Sequence, residues 1–190
     1  MSKEPTTARR APAARFDRPA SGLTIQVVSG IGFGPTKLAA FDAALRQGGI
    51  ANFNLVYMSS IIPSGSTVVV ADGDGPAGVG GWGDRLYAVM AELRIDTAYE
   101  EAVAGLGWVQ SQETGQGLFV EHTGHTEREV ERDILATLDA LCAARRDTDF
   151  GPPHLVIRRT VCAGEPTCAL VAAVFEADAW RGGDTEIPLP

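Results

Sequence analysis

The chain has 190 residues, 45% of them hydrophobic, and a formal net charge of −8. Its length allows one substantial core, so we expect a single domain. No apolar run approaches the roughly 20 residues that a membrane-spanning helix requires, and an acidic chain repels nucleic acid. We therefore expect neither a membrane nor a nucleic acid as partner. Three cysteines do not make a disulfide framework in a chain of this size, which favours a cytoplasmic location.

The two ends of the chain differ in composition from its middle. Residues 1–21 contain five basic and two acidic residues and little apolar material. Such a segment cannot offset the conformational entropy lost on folding, so we expect a disordered basic arm. The folded domain is then expected to span residues 22–178, with a tail at 179–190.

The first half of the domain combines strands with one helix. Alternating apolar residues predict a strand at 23–29, and the glycine-rich segment 30–34 predicts a turn. Pro35 and Thr36 start a predicted helix that stops at the glycine pair 48–49. Strands are predicted at 52–58, 67–71 and 86–94, with a turn at 61–63 and a glycine-rich loop at 72–84.

The second half begins with a predicted helix at 97–106, followed by strands at 108–110 and 118–122. Thr126 and Glu129 form a capping box before an apolar stripe, which predicts a helix at 127–144. Strands at 155–161 and 169–175 close the domain. This order of elements favours an α/β (α+β) fold, a layered αββα-type sandwich whose mixed or antiparallel sheets are covered by helices.

Two familiar ligand-binding patterns are incomplete. The glycine-rich segment 30–34 has Pro35 where a dinucleotide-binding fingerprint needs its third glycine, and it lacks the Gly-Lys-Ser/Thr end of a P-loop. His122 and His125 are not spaced for one helical face, and a zinc site would need a further ligand from elsewhere. We therefore predict no nucleotide site and no metal site.

A pair of adjacent serines interrupts the strand predicted at 52–58. Ser59 and Ser60 are followed by two isoleucines and Pro63. Serines at a strand end ordinarily satisfy a turn with side-chain hydrogen bonds. A serine at a strained junction can also attack its own preceding carbonyl, and the residues alone leave both interpretations open.

Four blocks of sequence follow one another along the chain: Phe41-Asp42-Ala43-Ala44-Leu45, then Gly49-Ile50 with Asn52-x-Asn54-Leu55, then Ser59-Ser60-Ile61-x-Pro63, and Gly117-Leu118-x-x-Glu121. In their order and spacing, these blocks resemble the pyruvoyl-dependent arginine decarboxylases. A weaker similarity extends from about Leu23 to Phe175. The basic arm, the 72–84 loop and the segment after Phe175 depart from the pattern.

This resemblance implies an enzyme that makes its own cofactor. The chain would cleave itself between Ser59 and Ser60 into a β chain of residues 1–59 and an α chain of residues 60–190. Ser60 would become a covalent pyruvoyl group, and no separate cofactor would be needed. The reaction implied is conversion of L-arginine to agmatine and carbon dioxide.

The resemblance also implies roles for four further residues. Glu121 would give a proton to the decarboxylated carbon, and Asn54 would be a polar contact near the pyruvoyl group. Asp42 would bind the substrate guanidinium, which a carboxylate can pair through two parallel hydrogen bonds, and Ile61 would form an apolar wall. Without the resemblance, Glu121 would be interpreted as a strand-edge carboxylate and Asp42 as an exposed helix carboxylate.

The spacing of Asn54 and Ser60 bears on assembly. Six residues of straight strand span ~20 Å, so the two side chains cannot meet within one strand. Either the strand bends sharply or Asn54 serves the site of a neighbouring subunit. The resemblance implies a homotrimer with active sites between protomers, which agrees with the second alternative.

Two alternatives to an arginine decarboxylase remain open. The chain could be a pyruvoyl decarboxylase of another amino acid, such as histidine, since only Asp42 and the acidic balance argue for a guanidinium. It could also be an unprocessed, non-catalytic relative that acts as the partner of an active subunit.

Overall fold

The computed structural model describes residues 22–71 and 80–180, and this part of the chain forms two helices and two β-sheets. The elements are β1 (Thr24–Phe33), α1 (Lys37–Gln47), β2 (Asn54–Tyr57), β3 (Ile61–Ile62), β4 (Thr67–Val70), β5 (Arg85–Ile95), β6 (Glu101–Gln110), β7 (Gly117–Gly124), α2 (Glu127–Ala143), β8 (His154–Val161) and β9 (Thr167–Asp178). The predicted basic arm, most of the 72–84 loop and most of the tail lie outside the described residues.

The two sheets are stacked with a helix on each outer face. The first sheet has the order β2-β5-β9-β1-β4 and is mixed, because β1 pairs with β4 and β2 with β5 in parallel. The second has the order β3-β7-β6-β8, and its pairs are antiparallel. Apolar side chains of both sheets share a central core, while α1 packs on the first sheet and α2 on the second. The predicted αββα sandwich is confirmed.

Both helices start at the threonines that the sequence indicated. The Thr36 hydroxyl accepts a hydrogen bond from the Ala39 amide at 3.1 Å, and the Thr126 hydroxyl accepts one from the Glu129 amide at 3.2 Å. Each bond satisfies an amide that has no partner within the helix. Within the described residues, neither helix is long and apolar enough to cross a membrane.

The turn predicted at 30–34 is wrong, because β1 continues to Phe33. The glycines in this segment have a packing role. A Cβ at Gly30 would lie 2.1 Å from the carbonyl oxygen of Ala44, and one at Gly32 would lie 2.0 Å from that of Ala40. The missing side chains let α1 lie directly on the strand.

The helix predicted at 97–106 is also wrong, because β6 (Glu101–Gln110) occupies most of it. This strand is covered by the first sheet on one face and by α2 on the other, so its residues are apolar without alternation. Gly105 and Gly107 give α2 room, since a Cβ at Gly107 would lie 2.2 Å from Cγ2 of Ile134. The turn predicted at 61–63 likewise contains the short strand β3, paired with β7.

Candidate active site

The two serines lie where the chain passes from one sheet to the other. β2 pairs with β5 up to Tyr57, opposite Ala88, and the Met58 amide still donates to the Ala88 carbonyl at 2.9 Å. Three residues after Met58 the chain pairs with the second sheet, where Ile61 lies opposite Leu118. The junction between Ser59 and Ser60 is therefore fixed at both ends by different sheets.

The backbone of Ser60 is held in an unfavourable conformation. Its φ is 58°, in the left-handed region, which among the described non-glycine residues only Tyr99 shares. Such a conformation costs of order 1–3 kcal/mol and persists where the surrounding structure enforces it. Here the Ser60 carbonyl accepts a hydrogen bond from the Phe119 amide at 2.8 Å. The strain therefore falls on the residue that the sequence singled out for cleavage.

The side chain of Ser60 meets Glu121. The serine hydroxyl donates to Oε1 of the glutamate at 2.7 Å, in a partly buried setting. Glu121 is on the same face of β7 as Phe119, which belongs to the core between the sheets. A bond this short is typical of a hydroxyl that donates to a carboxylate. The arrangement can move the hydroxyl proton to Glu121.

Asn54 is not part of this contact. Its amide Nδ2 donates to the carbonyl of Gly83 at 2.6 Å, and no hydrogen bond among the described residues joins it to Ser60. β2 runs in regular register from Asn54 to Tyr57, so no bend returns Asn54 towards the serine. Of the two alternatives from the sequence, the sharp bend within one chain is absent between Asn54 and Tyr57.

Asp42 and Ile61 also lie apart from the cavity that Glu121 lines. Asp42 is exposed on α1 and forms an ion pair with Arg46, one turn along the helix, at 3.3 Å. Ile61 is 52% exposed and lines a different cavity of about 300 Å³, beside the C-terminal end of α2. Of the four residues that the resemblance implied around Ser60, one chain thus brings Glu121 to the serine, whereas Asn54 and Asp42 make other contacts and Ile61 lines a different cavity.

A cavity of about 310 Å³ adjoins Glu121 at the edges of both sheets. Its lining includes two residues that the sequence did not single out, Tyr57 and Glu92. Partial burial raises the pKa of the Tyr57 hydroxyl, although most of the side chain is exposed; the negative charge of Glu92 raises it further, and Arg94 opposes the shift. The signal for Glu92 was available, because Glu92 and Arg94 are charged residues two apart on one face of an apolar strand.

The two histidines that suggested a metal are engaged in other contacts. Nε2 of His122 bonds the Thr137 hydroxyl at 2.9 Å, and Nδ1 of His125 bonds the carbonyl of Glu101 at 2.9 Å. No group of three or more His, Cys, Asp or Glu residues that could hold a metal ion occurs in the part of the chain that the structure describes.

Comparison with known proteins shows which family this chain is similar to. Residues 24–179 match the family model described as "Pyruvoyl-dependent arginine decarboxylase". A protein of that name from Halobacterium salinarum is 35% identical over 156 residues, which are 80% of this chain and 92% of the relative. One from Thermococcus kodakarensis is 28% identical over 75% of this chain and 87% of its own length. "Pyruvoyl-dependent arginine decarboxylase 2" from Archaeoglobus fulgidus is 35% identical, with 78% and 92% covered.

Proposed function

Since the chain belongs to the pyruvoyl-dependent arginine decarboxylase family, we propose that it is a self-processing enzyme that converts L-arginine to agmatine and carbon dioxide. The observation that carries this proposal is the 2.7 Å hydrogen bond from Ser60 to Glu121, at a residue whose backbone is strained. A nucleophile, a carboxylate able to take its proton and a strained bond are the requirements of an intramolecular cleavage.

The residues around Ser60 fit a pyruvoyl group at this position. Such a group keeps the three carbon atoms of the serine, carries a ketone oxygen in place of its nitrogen and loses its hydroxyl, so it needs no more space than Ser60 has. The hydrogen bond from the Phe119 amide to the Ser60 carbonyl would hold it in place. When bound, the group supplies a ketone that withdraws the electrons released as carbon dioxide leaves.

In the proposed processing, the Ser60 hydroxyl oxygen attacks the carbonyl carbon of Ser59 while Glu121 accepts the hydroxyl proton. The bond between Ser59 carbon and Ser60 nitrogen breaks, Glu121 returns the proton to the leaving nitrogen, which becomes an amine, and an ester replaces the amide. Elimination across Cα and Cβ of Ser60 then breaks the Cβ–Oγ bond and frees residues 1–59 with a terminal carboxylate. The dehydroalanine that remains at position 60 takes up one water and loses one ammonia to become the pyruvoyl group.

Glu121 has a second proposed task after cleavage. Its carboxyl remains beside position 60 and, when protonated, would give a proton to the product carbon. Phe119, two residues earlier on the same face of β7, is buried in the core between the sheets and gives this carboxyl an apolar neighbour. One carboxyl would therefore take a proton during processing and donate one during turnover.

The remaining parts of the site are proposed to come together between protomers of a homotrimer. Asn54 and Asp42 lie outside the cavity that contains Glu121, as expected if a neighbouring chain supplies them. Asp42 would then bind the guanidinium, and Ile61 would be an apolar wall. A single domain at residues 22–178 and a cytoplasmic location complete the proposal.

The test is release of carbon dioxide from arginine, lysine and histidine by the purified protein, with Ser60→Ala as control. Arginine should be the best substrate, and Ser60→Ala should be inactive. Lysine should be poor, because an ammonium cannot present two parallel donors to one carboxylate. A preference for histidine would contradict the proposal that arginine is the substrate. A wild-type chain that stays whole and inactive would instead favour the non-catalytic partner subunit.

A further inference from the structure

The cavity beside Glu121 extends around the edge of the first sheet. β2 leaves this sheet after Tyr57, and its pairing with β5 ends at Ala88. The next part of β5, including Met90 and Glu92, therefore lines the cavity instead of pairing with β2. Glu92 is on the same face as Met90, which α1 covers, whereas Glu121 belongs to the face between the sheets. Both residues nevertheless line the same cavity.

The size of this cavity suits a single amino acid. Its volume of about 310 Å³ is at the lower end of the range of roughly 300–1,000 Å³ for small-molecule sites. Glu121, which bonds the Ser60 hydroxyl, lines it from the second sheet, although Ser60 itself is not part of the lining. Glu92 lines it from the first sheet.

The carboxylate of Glu92 is held in place by Arg94. The guanidinium donates to both carboxylate oxygens, from Nε at 2.9 Å and from Nη2 at 2.8 Å. Arg94 is itself fixed over the ring of Phe41, with 3.7 Å from its guanidinium carbon to the ring centroid. A carboxylate can accept about four hydrogen bonds, so the two from Arg94 leave acceptor positions for a further cation.

Arg94 does not cancel the field of Glu92 at the cavity wall. At the Tyr57 hydroxyl, the negative charge of Glu92 raises the pKa more than the positive charge of Arg94 lowers it. Tyr57 lines the same cavity, so the charge of Glu92 acts on this part of the wall despite its pairing with Arg94. A ligand with a positive side chain is favoured over a neutral one of the same shape.

We propose that Glu92 determines substrate specificity by accepting hydrogen bonds from the cationic end of the substrate, opposite Glu121. This inference rests on the proposed decarboxylase function and adds a second carboxylate to the one expected from Asp42. Arg94 holds Glu92 in position, and the pair presents one carboxylate at a fixed angle to a planar guanidinium.

The test compares the binding of two ligands to the processed protein by calorimetry. One ligand is agmatine, and the other is its analogue with a neutral ureido group in place of the guanidinium. Glu92→Gln should weaken agmatine binding about ten- to a hundredfold, since it removes a charge-assisted bond, and should leave the analogue within a few-fold. Glu92→Asp keeps the charge and should retain more of the preference for agmatine.

Glu101→Gln is a matched control. Glu101 is also held at both oxygens by one arginine, Arg159, with both distances 2.7 Å, and it does not line the cavity. This variant should bind both ligands as the wild type does. Equal weakening of both ligands by Glu92→Gln, or no weakening of either, would overturn the inference. Failure of the wild type to cleave itself or to act on arginine would instead contradict the proposed function.

Discussion

Replacing Glu121 by glutamine tests whether this residue takes the proton of Ser60. Glutamine keeps the length of the side chain and an oxygen that can accept the 2.7 Å hydrogen bond. It cannot take up the proton, because a neutral amide is not a base near neutral pH. General-base assistance contributes ~10²–10⁴-fold, so cleavage of Glu121→Gln should slow by that factor. Turnover of the chains that do form should fall by a similar factor, since the proton donor is also lost.

The assay follows the uncleaved chain from synthesis onwards by intact mass, and then measures carbon dioxide release from material that has finished cleaving. Glu101→Gln makes the same substitution at a residue away from Ser60, and it should match the wild type in both cleavage and carbon dioxide release. Cleavage of Glu121→Gln at the wild-type rate would refute the role of Glu121 as the base. Normal cleavage with slow turnover would leave only its role as a proton donor.

Two further variants test substrate binding and packing. Asp42→Asn should lower kcat/KM for arginine by about ten- to a hundredfold and leave a neutral amino acid unaffected, whereas Arg46→Gln should not lower it; an unchanged preference would exclude Asp42. Gly32→Ala should lower the free energy of unfolding in urea by roughly 1–3 kcal/mol or more, because the new Cβ would lie 2.0 Å from the backbone oxygen of Ala40. Gly81→Ala, whose Cβ would meet Asp84 at 3.6 Å, should be near neutral, and equal stability of the two variants would contradict this account of the packing.

Helices α1 and α2 and most of the strands could be predicted because their signals are local. Thr126 and Glu129 mark the start of α2 within one turn, and the structure has the helix at Glu127–Ala143. β6 could not be predicted in the same way, because its lack of alternation results from burial on both faces by partners distant in sequence. The turn predicted around Gly30 and Gly32 was wrong for a similar reason. A glycine that permits close packing and one that permits a turn look alike until the packing partner, here α1, is known.

The candidate site was predictable only in part. Ser60 and Glu121 are close together because β3 pairs with β7. The resemblance to the family indicated both residues, but it did not indicate this pairing. Glu92 and Tyr57 carry no motif, and they line the cavity because the chain changes sheets after β2. The structure of one chain leaves Asn54 and Asp42 outside the cavity, which is why their roles stay predictions that depend on assembly.

The central claim is that Ser60 becomes the cofactor, and the intact mass of the purified protein tests it most directly. We predict two chains of roughly 6 and 14 kDa in place of one of 20.0 kDa, with cleavage after Ser59. Their summed mass should equal that of the whole chain plus one water minus one ammonia, and the larger chain should begin with a group that borohydride reduces. Ser60→Ala should stay whole. A wild-type chain that remains whole, a plain hydrolytic cut that leaves a serine at position 60, or cleavage that persists in Ser60→Ala would contradict the account.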